Sequence, residues 1–254
     1  MRMLQSLGWA ALGTGFTFLM TTLGAATVFF FAGAPHPRSQ RAMLGFAAGV
    51  MTAASVWSLL LPAIDQARAD GTCPGWLPAA AGMLLGVVFL AALDSVLPRL
   101  RRRPVEDTWR QNALLMTAIT LHNVPEGMAV GLAFALAATG ENLAGAAALA
   151  LGIGIQNFPE GAAIALPLRQ EGQSRCRAFL GGMLSGAVEP VFGILVVLMA
   201  AWARPLMPWL LSFAAGAMLY VVVEELVPQA HSRAGTCGFV GGFLIMMVLD
   251  VALG

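Results

Sequence analysis

What this chain has least of is charge. Only 11% of its 254 residues are charged, 58% are hydrophobic, and the mean hydropathy is +0.78. That scarcity excludes a soluble domain of this size and predicts a polytopic membrane protein. Lysine is absent; all fourteen basic residues are arginine. A net charge of +1 offers no broad basic field, so nucleic acid is excluded as a partner. Cysteine occurs three times (Cys73, Cys176, Cys237) and never as Cys-x-x-Cys, so neither a disulfide nor a thiolate metal site is expected. Histidine also occurs three times, and no His-Glu-x-x-His is present.

What is present is a series of apolar runs. A run of about 20 such residues spans a bilayer. Eight spans are predicted near 8–31, 43–64, 77–98, 112–138, 145–168, 178–202, 206–230 and 236–253, so 1–254 reads as a single transmembrane domain. The stretch Ala32-Gly33-Ala34 resembles a signal cleavage site, but the run before it is too long for a signal core and is kept as a helix. Arginine sets the orientation. With the N-terminus outside, eleven arginines fall in inner loops and three (Arg2, Arg68, Arg204) outside, so the positive-inside rule places both termini outside. Gly45/Gly49, Gly82/Gly86, Gly127/Gly131 and Gly182/Gly186 have the spacing that lets membrane helices approach closely.

Inside the fourth and fifth runs a hexapeptide occurs twice: His122-Asn123-Val124-Pro125-Glu126-Gly127 and Gln156-Asn157-Phe158-Pro159-Glu160-Gly161. This gives a 3+2+3 layout of the kind an internally repeated transporter shows, although the flanking triplets offer no convincing sequence repeat. Residues four apart share a helix face, so His122 pairs with Glu126 and Gln156 with Glu160. Two facing helices would then bring four ligand groups to one cation. Pro125 and Pro159 each remove a backbone donor, so local helix distortion is expected at both motifs.

Other polar positions fit the same route. Glu189 precedes Pro190 in the sixth span, Glu224 and Glu225 lie in the seventh, and His231 lies just beyond it. In the second span Met51, Ser58 and Asp65 fall at steps of seven and are predicted to share a face, with Asp65 at the outer mouth. Asp94 and Asp250, near helix ends, read as interfacial or interhelical contacts. Five carboxylates (Glu126, Glu160, Glu189, Glu224, Glu225) at membrane depth would each cost about 2.5–3.5 kcal/mol if unrelieved. Interhelical hydrogen bonds return only about 0.6–2 kcal/mol each. Hydration, protonation or a cation must therefore neutralise them. Two glutamates and a neutral imidazole balance one divalent ion. Imidazole with carboxylate suits Zn2+, and also Cd2+, Fe2+ or Mn2+, and argues against Mg2+.

At these residues the chain resembles the ZIP (Zrt/Irt-like) family of divalent metal transporters. Ala47-Ala48-Gly49-Val50-Met51, Ser185-Gly186-Ala187-Val188-Glu189-Pro190 and Ala214-Ala215-Gly216-Ala217-Met218 are similar to its GufA-like bacterial branch. The resemblance implies an all-α fold of eight membrane helices. It implies a primary metal site of His122, Glu126, Gln156 and Glu160 with Met51 close by, and an adjoining second site of Asn123, Asn157 and Glu189. Ser58 and Asp65 would form the entrance, and Glu224 and Glu225, with His231 at the inner end, the exit. The implied motion is an elevator-like or rocking alternation of helix bundles. Asn157 stands where some members carry Asp, Glu224 where many carry His, and Gln229 where many carry Glu.

The resemblance therefore implies import of a divalent metal into the cytoplasm, with Zn2+ as the transported substrate. The metal ion and the lipid bilayer are the partners, and the oligomeric state, a homodimer included, is left open. The Lys-free, Arg- and Ala-rich composition suggests a bacterial inner (plasma) membrane. Two other readings stand beside transport. An intramembrane zinc-dependent hydrolase would need three protein ligands, an open position and a base, and His122 is the only histidine at membrane depth. A metal-binding sensor without transport would need an output domain that these residues do not supply.

Overall fold

The computed structural model describes residues 2–30, 36–71, 73–101, 108–138, 143–170, 172–202 and 204–253. The Ala32-Gly33-Ala34 stretch and the Arg-rich segment 102–107 lie outside the described residues. All regular structure among the described residues is helical. The helices are α1 (Arg2–Ala26), α2 (Pro37–Ala54), α3 (Leu61–Asp70), α4 (Trp76–Arg101), α5 (Thr108–Ala137) and α6 (Leu143–Gln170). They continue with α7 (Arg175–Gly186), α8 (Val188–Trp202), α9 (Met207–Val221), α10 (Val227–Ala230) and α11 (Arg233–Leu253).

Among the described residues, seven helices are long and apolar enough to cross a membrane. The eighth expected span, 112–138, lies on α5, of which Asn123–Ala137 enters that measure as a shorter apolar helix. Most helices run a few residues past the predicted apolar edges, because polar end residues complete the last turns.

Two of the rods are not plain α-helices. A π-helical segment, Ser55–Leu60, joins α2 to α3, and another, Val222–Leu226, joins α9 to α10. Pro62 and Pro228 follow each segment within two residues. A proline crowds the carbonyl four residues back, here Ser58 and Glu224, and the wide π turn gives it room. Sequence reasoning instead expected distortion at Pro125 and Pro159, yet both lie inside continuous α-helices. The π turn also breaks the step-of-seven argument, which holds only while the helix keeps 3.6 residues per turn. Met51 is buried, Ser58 half-buried and Asp65 exposed.

The rods pack in two groups of four. One contains α1, α5, α6 and the α7–α8 rod; the other contains the α2–α3 rod, α4, the α9–α10 rod and α11. Glycine lets backbones touch inside the second group. A Cβ at Gly238 or Gly242 of α11 would lie 2.1 Å from Ala42 O or Phe46 O of α2. A Cβ at Gly82 of α4 would meet Trp209 O at 2.9 Å, and one at Gly86 would meet Phe213 O at 2.1 Å, both on α9.

These two seams match at most of their glycine contacts, and they expose a repeat that inspection of the sequence missed. Leu44, Phe46, Ala47, Ala48, Gly49 and Met51 recur at one constant offset as Leu211, Phe213, Ala214, Ala215, Gly216 and Met218. Gly82, Gly86, Leu93 and Asp94 recur likewise as Gly238, Gly242, Leu249 and Asp250. Even the reverse contacts correspond: a Cβ at Gly49 would strike Phe239 O, and one at Gly216 would strike Met83 O, both at 2.1 Å. The repeat is weak in sequence because only the seam residues are held to it.

The seam makes a sharp prediction about neighbouring glycines. Gly241 has nothing within 4 Å of a built Cβ, whereas Gly242 meets Phe46 O at 2.1 Å. Gly242→Ala should lower the thermal midpoint in detergent by several degrees, since overpacking costs about 1–3 kcal/mol. Gly241→Ala should leave the midpoint unchanged or raise it slightly. Equal effects at the two positions would refute the packing.

Candidate metal site

Both hexapeptides lie mid-helix, on α5 and α6, and their final glycines dock other helices. A Cβ at Gly127 would sit 2.4 Å from Glu189 O and 2.6 Å from Glu189 Cα, so α8 lies directly on the first motif. A Cβ at Gly161 would sit 2.0 Å from Thr21 O, so α1 lies directly on the second. The two docked helices then bond to each other, Thr21 Oγ1 donating to Glu189 Oε1 at 3.2 Å. One glycine in each motif therefore delivers a polar side chain from outside the motif.

The motif side chains are dry. Asn123, Gln156, Asn157 and Glu189 are fully buried and Glu126 is 1% exposed. Gln156 Nε2 donates to Glu126 Oε1 at 2.6 Å, and Asn157 Nδ2 donates to Glu189 Oε2 at 3.0 Å. Asn157 also lies near Glu126, and Thr17 near Glu189. Glu160, partly exposed, is near enough for its charge to act on both Glu126 and Glu189.

Each amide thus spends its N–H on a carboxylate and turns its oxygen elsewhere. Among the described residues, Gln156 Oε1, Asn157 Oδ1, Glu126 Oε2 and both ends of Asn123 find no hydrogen-bond partner. A buried polar atom left unpaired costs about 1–3 kcal/mol, so five on two adjacent turns are not a passive packing detail. Four of the five are oxygens, which is a donor set for a cation.

The remaining predicted residues are spread along the rods. His122 is placed by its backbone in α5, and its side chain lies outside the described residues. Met51 shares a buried cluster with Ala129, Val130 and Ile153, which flank the motifs. Ser58 Oγ donates to Asp250 Oδ1 of α11 at 2.5 Å, and the buried Asp250 Oδ2 has no hydrogen-bond partner among the described residues. Asp65 is instead exposed and paired with Arg68 at 3.3 Å. Glu224 is exposed and Glu225 half-buried, both on the second π segment, and His231 is exposed just past α10. Among the described residues, no three His, Cys, Asp or Glu side chains gather into a metal cluster. The described donors at the motifs are carboxylates and amides.

Sequence reasoning missed Thr21 and the Ser58–Asp250 pairing. Thr14, Thr17 and Thr21 form a fully buried hydroxyl stripe on one face of α1, and that three- and four-residue spacing was the available signal. The partner of Asp250 lies 192 residues away and left no local trace.

Comparison with known proteins follows the same residues. A family profile described as "ZIP Zinc transporter" matches residues 106–250. The chain is 40% identical to "Zinc transporter ZIPB" of Bordetella bronchiseptica, over 97% of this chain and 82% of that one. It is 36% identical to "Zinc transporter ZIP11" of Homo sapiens, over 96% and 97% respectively. It is 37% identical to "Zinc transporter GufA" of Myxococcus xanthus, over 78% and 81%.

Proposed function

Since the chain belongs to the ZIP family of zinc transporters, we propose that it is a multi-pass membrane carrier of divalent metal ions, not an enzyme. Zn2+ is the first substrate, with Cd2+, Fe2+ and Mn2+ as further ions of suitable chemistry. The metal enters the cytoplasm across a bacterial inner membrane, as bacterial relatives such as those of Bordetella and Myxococcus and the Lys-free composition suggest. We read 1–254 as one domain of eight spans in a 3+2+3 order with both termini outside. The matched α2/α11 and α9/α4 seams favour that reading, because two equivalent triplets would make equivalent contacts.

Its primary site is His122, Glu126, Gln156 and Glu160 between α5 and α6, with Met51 alongside and Asn123, Asn157 and Glu189 adjoining. The single observation that carries this reading is the set of buried oxygens on the two motifs that find no hydrogen-bond partner among the described residues. Ser58, with Asp250 bonded to it, marks the way in, and Asp65 stands at the outer rim. Glu224, Glu225 and His231 mark the way out. The two helix groups supply the moving parts. Backbone seams hold each together, whereas a tight glycine approach between them, at Gly152, meets only the flexible Met246 side chain at 2.2 Å. Rigid groups sliding over a side-chain boundary would expose the site alternately to the two sides.

The test is 65Zn2+ uptake into proteoliposomes by the wild type and by Glu160→Ala, with leak measured in protein-free vesicles. Saturable uptake lost in the variant is the expected result. Zn2+ binding without flux would refute the carrier and leave a sensor.

A further inference from the structure

Resting on that reading, we propose that the Asn157–Glu189–Thr21 group is a clamp that orients a metal ligand, and that the site holds one divalent ion per chain. The argument begins with what Glu189 is bonded to. Its Oε2 accepts from Asn157 Nδ2, and its Oε1 lies 3.2 Å from Thr21 Oγ1, whose one proton is shared between Glu189 and Thr17 O at the same distance, so both oxygens face protein donors. A cation bound to Glu189 would sit against the positive ends of those two donors.

The clamp is closed on every side. Gly127 puts the α5 backbone on Glu189, and a Cβ at Gly186 would lie 2.9 Å from Thr21 Cβ and 3.0 Å from Glu189 Oε1. Glu189 is fully buried, as are Thr21 and Asn157. A carboxylate gripped from α1, α5 and α6 keeps its geometry whether or not an ion is present.

The consequence falls on Asn157. With its Nδ2 committed to Glu189, its buried Oδ1 has no hydrogen-bond partner among the described residues. An amide anchored at its nitrogen end presents its oxygen in one direction, which is how an outer hydrogen bond fixes a metal ligand. Gln156 repeats the arrangement with Glu126 as its anchor. Glu189 and Thr21 are thus positioning residues, and Asn157 is a neutral oxygen ligand. An aspartate at 157 would reverse the logic. It has no N–H for Glu189, and two facing carboxylates would have to share a proton or, with metal in excess, a second cation.

The experiment counts Cd2+ bound per purified chain and measures its affinity. Wild type and the variants Thr21→Val, Thr21→Ser, Glu189→Gln and Asn157→Asp are compared, each first checked for monodispersity. With metal in excess, one ion per chain is expected in wild type and in Glu189→Gln, and two in Asn157→Asp. Thr21→Val should keep one ion but weaken its affinity by roughly 10-fold, the lower edge for losing an outer hydrogen bond. Thr21→Ser, which keeps the hydroxyl, should restore the affinity. Two ions in wild type falling to one in Glu189→Gln would make Glu189 a ligand and overturn the clamp alone. One ion still bound in Asn157→Asp, or an unchanged affinity in Thr21→Val, would also overturn it. No bound ion in wild type would overturn the transport site together with the clamp.

Discussion

Glu126→Gln is expected to abolish saturable Zn2+ uptake while leaving the protein folded, and somewhat more stable without metal. The two halves have one cause. Glu126 is buried at membrane depth, with one oxygen bonded to Gln156 and the other without a hydrogen-bond partner among the described residues. A carboxylate there costs about 2.5–3.5 kcal/mol against an apolar helix centre, and a neutral amide of the same shape removes much of that cost. The facing Gln156 can turn to accept from the new amide. Against this gain stands the loss of a charged ligand. Removing even an outer partner of a metal ligand weakens binding about 10–100-fold, so losing the ligand itself should lower uptake by roughly 100-fold or more. A thermal-shift assay separates the effects. Wild type should gain about 2.7 kcal/mol of stability at a metal concentration 100 times the Kd, and the variant almost none. A variant that kept metal-dependent stabilisation would show that Glu126 is not a ligand.

Gly127→Ala is expected to lose transport for the opposite reason, by breaking the frame. Its Cβ would meet backbone atoms of Glu189 at 2.4 and 2.6 Å, and backbone has no rotamer through which to yield. α5 and α8 must separate, which carries Glu189 away from Asn157 and Thr21. Overpacking of this kind costs about 1–3 kcal/mol, which in a chain of this size is a fall of roughly 2–12 °C in the thermal midpoint. Gly161→Ala should behave alike through Thr21 O at 2.0 Å. Stability thus separates the motif residues, falling at the glycines and rising at Glu126. An unchanged midpoint and full uptake in Gly127→Ala would contradict the packing of α8 on the first motif.

How much of this was legible in the sequence depends on the range of the interaction. The repeated hexapeptide was legible because its chemistry is local: an amide, a proline and a carboxylate within one and a half turns, in a solvent that penalises them. Its glycines were visible, but their purpose was not, since spacing identifies a helix face and never the helix that covers it. The Ser58–Asp250 bond was hidden for the same reason. Asp65 is a different case. It was expected at the outer mouth and is exposed, but the face it was to share with Met51 and Ser58 assumed 3.6 residues per turn, which the Ser55–Leu60 π segment interrupts. Met51, on the near side of that segment, is buried as its position suggested. The repeat between the outer triplets escaped notice because the matching residues are few and scattered among apolar residues that lipid accepts interchangeably.

That last point bears on which substitutions this protein can survive. Along α4, Leu84, Leu85, Val88 and Phe89 are all more than half exposed, while Gly82 and Gly86 press their backbone on α9. Leu84, Leu85 and Val88 can be exchanged among apolar residues with little consequence, Phe89 keeps a ring contact with Phe213 of α9 at 5.5 Å between centroids, and the two glycines admit no side chain at all. Mutational tolerance along the helix therefore switches between permissive and absolute within a single turn. On this lipid-facing helix the smallest residues are the least replaceable, and the large exposed ones are the most.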